Sequence, residues 1–156
     1  MAFLDISGYT RLTEERGDAA AADLASTLAG LAQRTSQQHG GRPVKWLGNG
    51  IMFHFPDPGE SVIAALQMVE ATQPAGLPPA HVGIAAGPIV QQDGDYFGRT
   101  VNVAARISAI AGPSEVLVTG EVERVVAHDG LSFERVGPTE LRGFAEPVLL
   151  LRASRA

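Results

Sequence analysis

The chain of 156 residues contains no cysteine. That excludes disulfides, thiolate catalysis and thiolate-ligated zinc, and it suits a reducing compartment. Positive charge is also scarce. Twelve Lys and Arg stand against 17 Asp and Glu, a formal net charge of −5, so the sequence carries no basic footprint and no nucleic-acid partner is expected. No apolar run approaches the roughly 20 residues that cross a bilayer, so no membrane segment is expected. The opening MAFLDISGYT lacks the basic stretch and long apolar core of a signal peptide, which makes the cytoplasm the default location. Missing motifs narrow the chemistry further. His39, His54, His81 and His128 show neither HxxxH nor HxH spacing, no serine sits in a GxSxG elbow, and there is no GxxxxGK[ST] loop.

What is present is a globular composition, 45% apolar and 19% charged, in a length that suits one domain with a real core. AFLDI reads as a short buried strand that ends abruptly on an acid, and SGYTRLTEERGD reads as turn-rich and polar. Residues from Ala19 to about Gln38 favour helix, with Leu24, Leu28 and Leu31 along one face and His39-Gly40-Gly41 as the stop. In VKWLGNGIMFHF two alternating apolar runs flank Asn49-Gly50, a strong hairpin signal. Ser61 to Thr72 reads as a second helix bearing Val62, Ala65, Leu66 and Val69 on one side. HVGIAAGPIVQ reads as a strand pair turning near Gly87-Pro88, QDGDYFG as a loop, and TVNVAARISAIA as a helix stopped by Gly112-Pro113. EVLVT, LSFERV and PVLLLRA read as strands, with Glu121 to His128 as a helix between the first two. Helices alternating with hairpins predict an α+β fold: a mixed, mainly antiparallel sheet with helices packed mainly on one face.

Several residues invite chemistry, each beside a plainer role. Asp5, at a strand end before Gly8, suits a divalent cation or a turn cap. Lys45 on the first hairpin strand is a ligand contact if a cleft faces it, and a solvated lysine otherwise. Asn102 and Arg106, four apart, share one helical face, where an amide can orient a hydroxyl and a guanidinium can stabilise phosphoryl charge. Arg142, in ELRGFAEPV, suits either an anion contact or a surface turn.

FLDISGYT, VKWLGNGIMFHF, HVGIAAGPIV, DYFGRTVNVAAR and ELRGFAEPV together resemble, in order and spacing, the catalytic domain of class III nucleotidyl cyclases of the adenylate type. The resemblance runs over nearly the whole chain, and DYFGRTVNVAAR is its most specific block. It implies a ferredoxin-like α+β core with extra strands. It also implies a head-to-tail dimer, with itself or with another cyclase domain, binding the nucleotide across the interface. The reaction implied is that of a phosphorus–oxygen lyase in intracellular signalling: the 3′-hydroxyl attacks the α-phosphate, giving a 3′,5′-cyclic nucleotide and pyrophosphate. Residues 1–156 are then expected to be one catalytic domain from a longer chain, because only three residues precede Leu4 and the first strand is shorter than the family's usual one.

By the same resemblance, Asp5 and the Ile6 carbonyl correspond to ligands of a two-ion Mg²⁺ or Mn²⁺ site, and Gly8, Tyr9 and Thr10 to a cradle for the terminal phosphates. Lys45 and Asp95 correspond to the pair that reads adenine, so ATP is the expected substrate. Asn102 corresponds to the ribose-orienting amide, Arg106 to the transition-state arginine, and Arg142 to a phosphate-binding lysine. Two positions depart from the pattern. Asn49 stands where the second metal aspartate is expected, offering one weaker oxygen and one charge fewer. His81 stands where many members carry an arginine toward the triphosphate. Activity weakened by Asn49 is therefore expected, with a catalytically inactive nucleotide-binding or dimerisation module as the alternative.

Overall fold

The structure is a computed structural model that describes residues 1–47, 50–126 and 130–156. A buried strand, β1 (Ala2–Ile6), leads into α1 (Tyr9–Arg16) and α2 (Asp18–Gln38). The hairpin strands β2 (Arg42–Leu47) and β3 (Gly50–His54) follow, then α3 (Pro58–Ala71) and β4 (Ala80–Ile84). The small strands β5 (Val90–Gln92) and β6 (Asp95–Phe97) precede α4 (Arg99–Ile110). The chain closes with β7 (Val116–Thr119), α5 (Gly120–Val125), β8 (Leu131–Thr139) and β9 (Val148–Arg155).

Seven strands form the main sheet in the order β2-β3-β1-β4-β7-β9-β8. All neighbours are antiparallel except β4 and β7, which run parallel. The two-residue period of the strands divides the core in two. Leu4, Ile6, Phe53, Val82, Val118 and Leu151 face α2, α3 and α5. Phe3, Met52, Leu117 and Leu150 face α4 with its Val103, Ala104 and Ile107. The expected α+β sheet with helices mainly on one side is what forms, and among the described residues α4 alone occupies the opposite side.

Local chemistry sets the helix ends. Asp57 caps α3 by accepting from the Gly59 and Glu60 amides at 2.8 and 3.4 Å, with Pro58 in the first turn. This begins the helix three residues before the expected Ser61. His39 ends α2 as expected and ties it to α3, its ring nitrogens meeting Glu60 at 2.5 Å and Gln67 at 2.8 Å.

Two expectations are corrected. SGYTRLTEERGD is not merely turn: α1 occupies Tyr9–Arg16 and buries none of its residues, so no apolar stripe announced it. HVGIAAGPIVQ does not fold back on itself. β4 enters the main sheet, and Val90–Gln92 pairs instead with Asp95–Phe97, the stretch read as a loop. Their turn is Asp93-Gly94, with φ of 53° and 77°, the doubly positive geometry of a type I′ two-residue hairpin. The Asn49 turn and His128, the expected end of the α5 helix, lie outside the described residues.

Candidate active site

The first group of candidate residues assembles where the β5–β6 arm meets the edge of the main sheet. The β2–β3 register shifts between Pro43 and Lys45, leaving Val44 as an extra residue. A bulge changes which face the following side chain takes. Arg42 pairs with His54 and Lys45 pairs with Met52, and Met52 belongs to the α4-side core. The bulge thus puts Arg42 and Lys45, three apart, on the same side as α4. There the Lys45 ammonium donates to Asp95 Oδ2 at 2.8 Å, and the Tyr96 amide donates to Asp95 Oδ1 at 2.8 Å. Lys45, and then the Tyr96 amide, hold the Asp95 carboxyl below the usual carboxylate range.

The second group lies on α4. An added Cβ at Gly83 of β4 would stand 2.3 Å from the Ser108 nitrogen and 2.7 Å from the Ala104 carbonyl oxygen. Glycine there lets the helix backbone rest directly on the sheet. With Ala104, Ile107 and Ser108 buried beneath, Asn102 and Arg106 come out on the exposed side, four apart as expected. They line a cleft of about 540 Å³ with Arg99, Arg142 and Phe144. Arg142 reaches it from the turn before β9, where the Phe144 amide donates to the Leu141 carbonyl at 3.1 Å. Arg99, whose guanidinium carbon sits 5.4 Å from the Phe144 ring centre, is a third cation in the cleft that sequence reasoning passed over. Its place at the start of the DYFGRTVNVAAR helix was the available signal.

The third group sits at the far end of β1. Asp5 is partly buried on the α4 side, and the buried Ser108 hydroxyl donates to its Oδ2 at 3.4 Å. A Cβ at Gly50 would lie 2.2 Å from Asp5 Oδ1, so glycine at 50 leaves room for the carboxylate against the hairpin. His81 is the register partner of Asp5 on β4, and its Nδ1 is buried without a hydrogen-bond partner. The Ile6 side chain is buried in the opposite core. Gly8, with φ 74°, opens α1, whose first turn carries Tyr9 and Thr10. The Tyr9 hydroxyl donates to the Ala21 carbonyl at 3.1 Å, turned inward to brace α1 on α2. Asn49 lies outside the described residues.

This third group fits a hard divalent cation, within limits. The oxygen donors of Asp5 and the Ile6 carbonyl suit Mg²⁺ or Mn²⁺ better than a soft metal. Among the described residues no three His, Asp or Glu side chains gather as a complete metal site. A site of one carboxylate is what Mg²⁺ accepts when substrate phosphates supply the remaining ligands.

The structure therefore joins Lys45 to Asp95, and Asn102 to Arg106 and Arg142, but does not bring the groups into one pocket. Asp5 is reached from α4 by the buried Ser108, while Asn102 and Arg106 stand on the helix's outer side.

Residues 1–151 match the model of the adenylate and guanylate cyclase catalytic domain, and the chain belongs to that family. It is 34% identical over 163 residues to a pH-sensitive adenylate cyclase of Mycobacterium tuberculosis, an alignment covering 99% of this chain and 40% of the relative. It is 38% identical over 141 residues to an adenylate cyclase of Streptomyces griseus, covering 82% and 32%. The chain thus spans well under half of the curated relatives it matches. Among solved structures it is similar to an adenylate/guanylate cyclase/hydrolase from Silicibacter pomeroyi (28% identity, TM-score 0.78, covering 97% and 94%). The fold is also that of an adenylyl cyclase from P. aeruginosa (21% identity, TM-score 0.85, covering 99% and 92%). No helix of the described residues is long and apolar enough to cross a membrane.

Proposed function

We propose that this chain is an adenylate cyclase catalytic domain that converts ATP to 3′,5′-cyclic AMP and pyrophosphate. The observation that carries the reading is the Lys45–Asp95 pair, brought to 2.8 Å from positions fifty apart in sequence. A cationic donor beside a carboxylate acceptor matches adenine, whose ring nitrogen accepts and whose exocyclic amine donates. Guanine presents the opposite polarity. Both side chains are partly exposed, so their mutual attraction is weak and readily exchanged for contacts to a base.

In this reading Asn102 orients the ribose, so that the 3′-oxygen lines up with the α-phosphorus. The O3′–P bond forms, the bond to the β-phosphate's bridging oxygen breaks, and the hydroxyl proton passes to solvent. Arg106 meets the charge developing on the α-phosphate, and Arg142 and His81 meet the polyphosphate. The start of α1 at Gly8, Tyr9 and Thr10 receives the terminal phosphates. When bound, Mg²⁺ or Mn²⁺ supplies positive charge against the phosphates, and Asp5, the Ile6 carbonyl and Asn49 would hold it. Because α4 stands between Asp5 and the Asn102–Arg106 face, a head-to-tail pairing lets one protomer supply the cation ligands and its partner the base and ribose contacts. Exposed Val90 and Phe97, 57% and 50% accessible beside the Lys45–Asp95 pair, are apolar surface for such a contact.

The test is to incubate the purified chain and its Asn49→Asp variant with ATP and either ion, and to measure cyclic AMP. Slow formation by the natural sequence and faster formation by the variant are expected. No product from either at high enzyme concentration sinks the proposal. A second reading rests on the amide at position 49: the domain binds ATP and regulates a partner without turnover. It expects nucleotide affinity nearly independent of divalent ion, and strictly ion-dependent binding with slow turnover counts against it.

A further inference from the structure

The β5–β6 arm is attached to the protein in an unusual way. It forms its own two-stranded sheet, and among the described residues no ladder joins it to the seven-stranded one. All three residues of β5 are exposed, and in β6 only Tyr96 is buried, at 5% accessibility. The Tyr96 ring stacks on His54 with centres 4.8 Å apart and planes 4° from parallel. The Arg42 Nη2 donates to the Tyr96 hydroxyl at 2.5 Å, and the guanidinium carbon lies 5.6 Å from the ring centre. Arg42 and His54 are register partners on β2 and β3, so the tyrosine is gripped by one rung of the main sheet.

We infer that Tyr96 is the positioning residue that sets the Lys45–Asp95 pair, and through it the purine preference. The inference rests on the adenine reading above and adds to it a residue outside the pair. Asp95 is the chain neighbour of Tyr96 and accepts from the Tyr96 amide, so displacement of the ring moves the carboxylate directly. The other half of the pair is fixed from the same rung. The bulge at Val44 sends Arg42 and Lys45 to one side, so the residue that holds the arm and the residue that meets its carboxylate belong to one short strand. His54 also suits a stacking partner. Burial, then the N-terminal amine and Arg42, push its imidazole below the ordinary range, which favours the neutral ring.

The experiment uses the whole chain with Tyr96→Phe, which keeps the ring and loses the hydroxyl, and Tyr96→Leu, which loses both. Two readouts separate this inference from the function it rests on. The first needs no nucleotide: the Asp95 carboxyl is titrated by NMR. In the natural sequence it titrates below the ordinary range, and Tyr96→Leu returns it upward, with Tyr96→Phe between. An unmoved titration in folded Tyr96→Leu overturns the inference. Should Tyr96→Leu not fold, Tyr96→Phe decides by the same criterion. The second readout is binding of ATP against GTP. The natural sequence prefers ATP, and Tyr96→Leu loses that preference by roughly tenfold, the scale of one lost polar contact. A natural chain without preference, whose Asp95 titration still moves in Tyr96→Leu, overturns the adenine reading and leaves the positioning intact. Preference unchanged in Tyr96→Leu overturns the link from Tyr96 to the base.

Discussion

The two ends of the α4 side of the sheet are built differently. At the β2 edge, Lys45, Asp95, Tyr96, Arg42 and His54 hold one another in place before any ligand arrives. At the far end of β1, Asp5 has a long contact to Ser108, and the His81 Nδ1 is buried without a partner. One end is ordered by its own contacts, and in the proposed reading it is pre-organised for a flat, neutral base. In the proposed reading the other gains its order from phosphates and cations. The proposed reading therefore separates recognition of the base from competence for chemistry, and substitutions should divide along that line.

The largest expected effect is at Arg106. Arg106→Ala should lower turnover by about 10²–10³ while leaving ATP affinity nearly unchanged, because its guanidinium is assigned to charge that develops only in the transition state. Separate measurement of kcat and KM checks this, and an effect confined to KM breaks the division. Asn49→Asp should act in the same quantity with opposite sign, again by up to roughly 10²–10³ in kcat. An effect on base selectivity there would join the two ends. At the other end, Lys45→Ala should weaken ATP binding by about tenfold, with kcat at saturation changed far less.

A smaller effect sharpens the role of the helix between the two ends. Gly83→Ala drives a Cβ against the α4 backbone, which cannot rotate aside as a side chain can. Destabilisation of roughly 1–3 kcal/mol is expected, read by thermal melting as a loss of several degrees. The smallest effect lies away from both ends. A hydrogen bond from Arg155, at 2.6 Å, holds Glu70 below its ordinary pKa of 4.5. A lowered carboxyl contributes stability above 4.5 and loses it as pH falls through the folded value. Arg155→Ala should therefore lower stability slightly at neutral pH, given the exposure of the pair, and leave it unchanged at acid pH where Glu70 is protonated, which flattens the acid limb of the stability–pH curve.

Much of the fold was legible because its signals are local. The leucines of α2, the small residues of α4 and the alternation of β3 all face a core, so burial writes its period into the sequence. α1 and the β5–β6 hairpin were misread because they bury almost nothing. Val90, Gln91 and Gln92 are all exposed, so the Asp93-Gly94 turn had no apolar alternation around it to mark the flanks as strands. The bulge at Val44 was invisible for another reason. It depends on which residue of β3 each residue of β2 meets, and no period within one strand encodes that. The candidate polar residues were legible through resemblance, whereas Tyr96, Arg42 and His54 were not, because their importance arises from a meeting of distant segments. Composition did offer one clue: an aromatic stands directly after Asp95.

The Asp93-Gly94 tip has a practical consequence. It projects from a small sheet that, among the described residues, no ladder joins to the seven-stranded one, and it is solvent-exposed. A short peptide or a fluorophore grafted there should be tolerated, since insertions succeed where backbone is exposed and little is packed around it. Under the proposed adenine reading, such a graft would turn the molecule into a reporter of its own purine occupancy, with the tag riding next to the strand that begins at Asp95.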